Sequence, residues 1–309
     1  MTHTNGNGHR ATRLSERAFL CSVSISMWGN RKQDKTLSRE AAASRGMGDK
    51  VGCYSKWLLI EDEKGTPVRE YVAIENARNK ARLIHNDMSA PWLDNGTRIN
   101  SAENFPEWTG ALRRAKQEFM NAVEFFLQEY PGLVEKTKSI MDNAASVEGK
   151  PSMFSDKNYP GKAALAAHFR FEIMVQPLGE AKDFRIDMAD AQAIAIESER
   201  SAIQNVTSDL LSRLNDVVGR VVHLGDPKAT IQTALIRDLT SVCKLTKRLN
   251  IANDPALEDF ANRIEKDLQV DPVLLKTAPS ERSLLADRAK AILNDMAGYG
   301  FMLGGLDNA

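Results

Sequence analysis

Phe19-Leu20-Cys21-Ser22-Val23-Ser24-Ile25-Ser26-Met27 is the stretch whose reading decides the fold. Its odd positions are all apolar, and its even positions after Leu20 are all serine. A period of two sends alternate side chains to opposite faces of a pleated strand. One face should therefore carry Cys21, Val23 and Ile25 into a core, and Trp28-Gly29-Asn30 should end the strand. One strand needs partners, and two more runs alternate. Phe169, Phe171, Ile173 and Val175 interleave with Arg170, Glu172, Met174 and Gln176. Phe184, Ile186 and Met188 interleave with Arg185 and Asp187, after a hairpin connection at Pro177-Leu178-Gly179-Glu180. The three together predict a small antiparallel sheet of about three strands, close to the minimum for stability.

Around this sheet the pattern changes to helical spacing. Residues 68–88 place Val72, Ala73, Ala77, Ala81 and Ile84 roughly on one side. Pro91-Trp92 and Asn95-Gly96 mark a turn-rich connection anchored by its tryptophan. Pro106 opens an amphipathic helix through Leu112, Ala115, Phe119, Ala122 and Phe126, which Tyr130-Pro131 should interrupt before a further helix over Leu133 to Met141. Residues 146–160 read as an internal boundary. Long amphipathic stretches follow over 190–223 and 228–249, another starts at Asp254-Pro255, and a last helix is expected over 281–296. The expected class is α+β and mostly helical. The expected organisation is a disordered tail over 1–14, an α+β region over 15–190, a helical region over 191–297 and a flexible Gly-rich tail over 298–309.

Composition narrows the function classes. Lys+Arg and Asp+Glu are equal at 41 each, which argues against a protein that coats nucleic acid by bulk charge. Three widely spaced cysteines, Cys21, Cys53 and Cys243, form no CxxC and suit a reducing compartment. The polar first residues lack the apolar core of a signal peptide, and no apolar run reaches the ~20 residues of a membrane helix. A cytoplasmic location is expected.

The residues that would name an enzyme do not assemble in the sequence. There is no GxxxxGK[ST], no strand-to-helix GxGxxG and no GxSxG. Neither HExxH nor any histidine pair at i,i+4 occurs among His3, His9, His85, His168 and His223. Asp183, Arg185 and Asp187 share one strand face, which suits local ion pairs as readily as a phosphate or metal. No catalytic, cofactor-binding or metal-binding residue is assigned.

One region stands out. Arg10 to Lys56 holds ten Lys/Arg against four Asp/Glu, interleaved with Trp28, Tyr54 and Trp57. Cations that track phosphates beside rings that stack on bases are what single-stranded nucleic acid binding requires. The competing reading puts Trp28 and Trp57 in the core and leaves the charges to solvate loops. Arg31, Lys32, Lys35, Tyr54 and Lys56 are the candidate surface for nucleic acid or a partner protein.

Five strings occur in order: SISMWGNRKQDK (24–35), GCYSKWLL (52–59), PWLDNGTRIN (91–100), FRFEIMVQPL (169–178) and LNIANDPALEDF (249–260). In these the chain resembles an uncharacterised domain-of-unknown-function family of phages and integrative conjugative elements. Its members tend to be encoded near a MoxR-like AAA+ ATPase and a von Willebrand factor A-type protein. The resemblance implies a mobile-element context and such a protein as partner, and it implies no catalytic residues. The expected function is a non-enzymatic accessory or adaptor protein acting with an AAA+ ATPase or in DNA transactions. The alternative is a single-stranded nucleic acid binding or annealing protein.

Overall fold

A computed structural model describes residues 14–33, 38–39, 43, 55–92, 96–178, 189–226, 229, 233–271, 274–275 and 278–305. In chain order the elements are α1 (Leu14–Arg17), β1 (Ala18–Ser26), β2 (Arg31–Gln33), β3 (Ser55–Trp57), α2 (Arg69–Asp87), β4 (Ala90–Pro91) and β5 (Arg98–Ser101). They continue with α3 (Phe105–Glu148), α4 (Lys162–Ala166), β6 (Arg170–Pro177), α5 (Ala189–Val222), α6 (Thr233–Leu249), α7 (Pro255–Asp267) and α8 (Pro279–Gly305). The protein is α+β and mostly helical, with a four-stranded antiparallel sheet and a separate two-stranded one.

The strand order of the larger sheet is β4-β5-β1-β6. β1 and β6 are the strands that alternation identifies. The other two come from the turn-rich connection, where no alternation signals a strand. Leu20 pairs with Ile99 and Cys21 with Arg98 across β1 and β5, and Ala90 pairs with Ile99 across β4 and β5. Pro91 sits in β4, at the edge, where a residue without an N–H interrupts no ladder. The run Phe184 to Met188 lies outside the described residues.

The chain forms two compact units, each discontinuous in sequence. The first comprises 1–22, 85–109 and 174–309, and the second comprises 23–84 and 110–173. In the first, Val206, Leu210, Leu214, Val217 and Val221 form the buried stripe of α5. They pack with Leu239 and Cys243 of α6, Leu257 and Ile264 of α7, and Leu285, Ala289 and Ile292 of α8. α7 begins as its sequence predicts. Asp254 accepts hydrogen bonds from the Ala256 and Leu257 amides at 2.8 and 3.4 Å, and Pro255 occupies the first turn.

α8 differs from expectation. It runs through the glycine-rich stretch to Gly305 rather than ending near 296. Tyr299 anchors the extension: its ring meets Phe260 edge-on at 5.8 Å and its hydroxyl donates to the Asp254 carboxylate. Packing here overrides the poor helix propensity of glycine.

The second unit is built on aromatic residues. Trp28 is buried between Tyr71 and Tyr130, with ring centroids 6.2 Å away on each side. Phe119, Phe126, Phe169 and Phe171 complete this core. Pro131 does not break α3, contrary to the sequence reading. Proline removes one helical hydrogen bond and crowds the preceding turn. Phe126 and Tyr130 on one side of it are buried, as is Thr137 on the other, and this packing holds both halves in one helix. Gly149, with φ of +64°, follows the end of α3 in a conformation that suits glycine.

Candidate partner-binding site

The second unit carries the candidate surface. Buried Asn30 sets it up. Its side-chain oxygen accepts from the Leu59 amide at 2.8 Å, and its carbonyl accepts from the Leu58 amide at 2.9 Å. These bonds tie the end of the first strand region to residues 58–59 and bring β2 and β3 together as an antiparallel ribbon. Arg31 pairs with Trp57, Lys32 with Lys56 and Gln33 with Ser55.

The pairing sorts the candidates onto two faces. Arg31 lies over the Trp57 ring, 4.9 Å from its centroid, a cation–π contact on one face. On the other, Lys32 and Lys56 stand directly opposite each other, a like-charge pair that destabilises a ribbon unless each finds a partner. Both do: Lys32 donates to the Asn158 side-chain oxygen at 2.5 Å and Lys56 to the Met153 carbonyl at 2.9 Å. Of the sequence candidates, the structure brings Arg31, Lys32 and Lys56 together. Lys35 and Tyr54 lie outside the described residues. Trp28 of the basic segment is a core residue, and Trp57, which directly follows the segment, is half-buried.

Beside the ribbon opens a cleft of about 450 Å³. Trp57, Ile60, Ile140, Met141, Ala144 and Met153 supply its apolar lining, and Lys56, Lys64, Lys150, Glu63 and Glu148 supply charge. Its size falls within the range of ligand and side-chain pockets, which are apolar with a few placed polar groups. The Glu61-to-Thr66 turn on one side is tied by its own hydrogen bonds. Asp62 accepts from the Lys64 and Thr66 amides and the Thr66 hydroxyl, all within 3.0 Å, and these bonds hold its carboxyl below the usual range. Sequence reading found the ribbon cations but missed this cleft, since its walls come from residues about 80 positions apart. The apolar residues Ile140, Met141 and Met153, at a helix end and in the boundary segment after it, were the available signal.

The first unit brings together a second set of chemically capable side chains, which the sequence did not flag. Cys21, His85, Ser89, Arg98 and Trp108 cluster at the C-terminal end of α2. The Ser89 hydroxyl donates to the His85 carbonyl at 2.5 Å and accepts from Arg98 Nε at 2.7 Å. His85 Nδ1 accepts from the Trp108 indole at 3.3 Å, and burial, with Arg98 nearby, lowers its pKa to about 4. Burial pushes the Cys21 thiol up to about 12. Burial thus holds the imidazole neutral, with Nδ1 accepting a hydrogen bond, and the thiol protonated. Among the described residues, no group of three His, Cys, Asp or Glu could hold a metal ion. No helix among them is long and apolar enough to cross a membrane.

Comparison with protein-family models, curated proteins and solved structures finds no match to this chain.

Proposed function

We propose that the protein is a non-enzymatic accessory or adaptor protein that binds a partner protein through the cleft beside the β2–β3 ribbon. The cleft carries the proposal: an apolar floor rimmed by charge receives the apolar side chains of another chain and orients them. The buried Cys21–His85–Ser89–Arg98 cluster supports it, because each of these groups is already engaged within the fold. The family resemblance supplies the partner class, a MoxR-like AAA+ ATPase or a von Willebrand factor A-type protein of a phage or mobile element, in a bacterial cytoplasm. The test is size-exclusion chromatography of the purified chain mixed with each such protein, with and without ATP. Co-elution is expected with at least one.

The second reading is single-stranded nucleic acid binding by the ribbon. It rests on Arg31, exposed and stacked on Trp57, next to exposed Lys32. Against it, Lys32 and Lys56 both spend hydrogen bonds within the unit. This reading requires binding that weakens steeply with salt. It also requires the Arg31→Ala, Lys32→Ala, Lys35→Ala variant to lose affinity and to flatten the salt slope by about two to three units.

A further inference from the structure

Of the two ribbon strands, β3 is the one that reaches the cleft. Ser55, Lys56 and Trp57 all line it, and its lining includes no residue of β2. Successive side chains of a strand leave on opposite faces, so a cleft that touches three in a row runs along the strand's edge. The ladder fixes which backbone groups point there. The Leu58 amide bonds the Asn30 carbonyl at 2.9 Å, which makes Asn30–Leu58 a hydrogen-bonded position. Bonded and non-bonded pairs alternate along an antiparallel ladder. Lys32–Lys56 is then the next bonded pair, and Arg31–Trp57 and Gln33–Ser55 are the non-bonded ones. The amides and carbonyls of Ser55 and Trp57 therefore point away from β2, along the edge that borders the cleft. Among the described residues, none hydrogen-bonds these groups.

We infer that β3 takes a third strand: an extended apolar segment with acidic flanks, from the partner protein, pairs with this edge and sends side chains into the cleft. The inference rests on the adaptor reading of the cleft and specifies how the partner is held. A row of free amides and carbonyls is a template for another peptide backbone, and pockets beside it select alternate side chains. Trp57, Met141 and Met153 offer the apolar walls. The acidic flanks answer the ribbon, whose strands carry Arg31, Lys32 and Lys56 and no acid. That charge also disfavours a second copy of this chain on the edge, since it would bring Lys56 towards its own counterpart. A phosphate backbone fits poorly, because it supplies acceptors alone and leaves the two outward carbonyls unanswered.

Amide hydrogen exchange, read by NMR on the full chain alone and mixed with the AAA+ ATPase or the von Willebrand factor A-type protein, tests this. The Ser55 and Trp57 amides should exchange fast in the free chain and slow by about tenfold or more in the complex. The Lys56 amide, already in the ladder, should change less. Ser55→Pro removes an outward donor at the start of β3 and no ladder bond, so it should weaken binding by about tenfold. Circular dichroism melts check that this variant folds, and the exchange pattern of the parent decides the matter should it melt early. Binding that Ala144→Glu abolishes, but that survives Ser55→Pro and leaves both amides fast, would overturn the edge and leave the adaptor reading standing. No binding of either protein would remove both. Protection of the two amides that grows with the concentration of the chain alone would place a second copy on the edge and overturn the inference, as would protection by a single-stranded oligonucleotide in place of either protein.

Discussion

Arg98 and Arg213 donate to one carbonyl, that of Ser89, at 2.6 and 2.8 Å. They reach it from β5 and α5, far apart in sequence. The same two guanidinium groups take the Asn86 carbonyl at 3.0 Å each, and Arg213 also takes that of Asp87 at 2.6 Å. The Asn104 side chain takes that of Met88 at 2.8 Å. The last turn of a helix leaves its carbonyls without intrahelical partners and carries partial negative charge. Two arginines supply both the donors and the opposite charge at the end of α2.

Removing either arginine should therefore cost more than an exposed ion pair would. Arg98→Ala is expected to destabilise by about 2–4 kcal/mol, since charged hydrogen bonds and buried stem packing go together. Arg98→Lys should recover only part of that, because an ammonium cannot span Ser89 and Asn86 as a fork does. Urea unfolding of the three proteins measures this. A loss within ordinary surface variation for Arg98→Ala would show that the cap contributes nothing.

His85 makes the same end of α2 sensitive to acid. Its pKa falls to about 4 in the folded chain, against about 6.5 for a free imidazole. Between those values the unfolded chain binds a proton that the folded chain does not, so stability falls as pH drops from about 6.5 towards 4. The most this one group contributes is about 3 kcal/mol. In His85→Gln that part of the slope should disappear. Unfolding midpoints measured across this range, with parent and variant side by side, give the comparison.

The thiols report on the two helical and strand readings separately. Cys21 and Cys243 are buried, and burial raises both to about 12. On a Cys53→Ser background, a thiol reagent should label neither in the native state and both after denaturation. Rapid native labelling of Cys21 would mean that β1 does not present that face inward.

The sequence made some of this legible and hid the rest for physical reasons. β1, β6 and the long helices announce themselves, because half-buried strands and amphipathic helices repeat at two and 3.6 residues. β4 and β5 are too short to repeat anything; their pairing is set by what lies across from Leu20 and Cys21. Pro131 and the glycines of α8 read as breaks because local propensity is all that a sequence displays. The buried contacts of Tyr130 and Tyr299 outweigh that propensity in the fold. At the candidate site, charge density pointed to Arg31, Lys32 and Lys56. The Lys32–Asn158 and Lys56–Met153 bonds, and the cleft against residues 140–153, join segments that no local pattern connects.

Gly225 tests the packing of the first unit. A Cβ there would meet the Ala286 Cβ at 2.9 Å, so the turn after α5 has room for glycine alone. Gly225→Ala should destabilise by about 1–3 kcal/mol, the usual range for overpacking. Thermal melts should show it, and Gly29→Ala, where nothing lies within 4 Å, is the matched control.

The adaptor reading stands or falls at the floor of the cleft. Ala144 lines it from α3, and Ala144→Glu keeps a good helix former while filling the floor and adding charge. Isothermal titration of the AAA+ ATPase or the von Willebrand factor A-type protein into parent and variant measures the effect directly. The parent should bind, and Ala144→Glu, with an unchanged melting temperature, should bind at least about tenfold more weakly. Equal affinity for parent and variant, or no heat of binding with either protein in the presence or absence of ATP, would contradict the account.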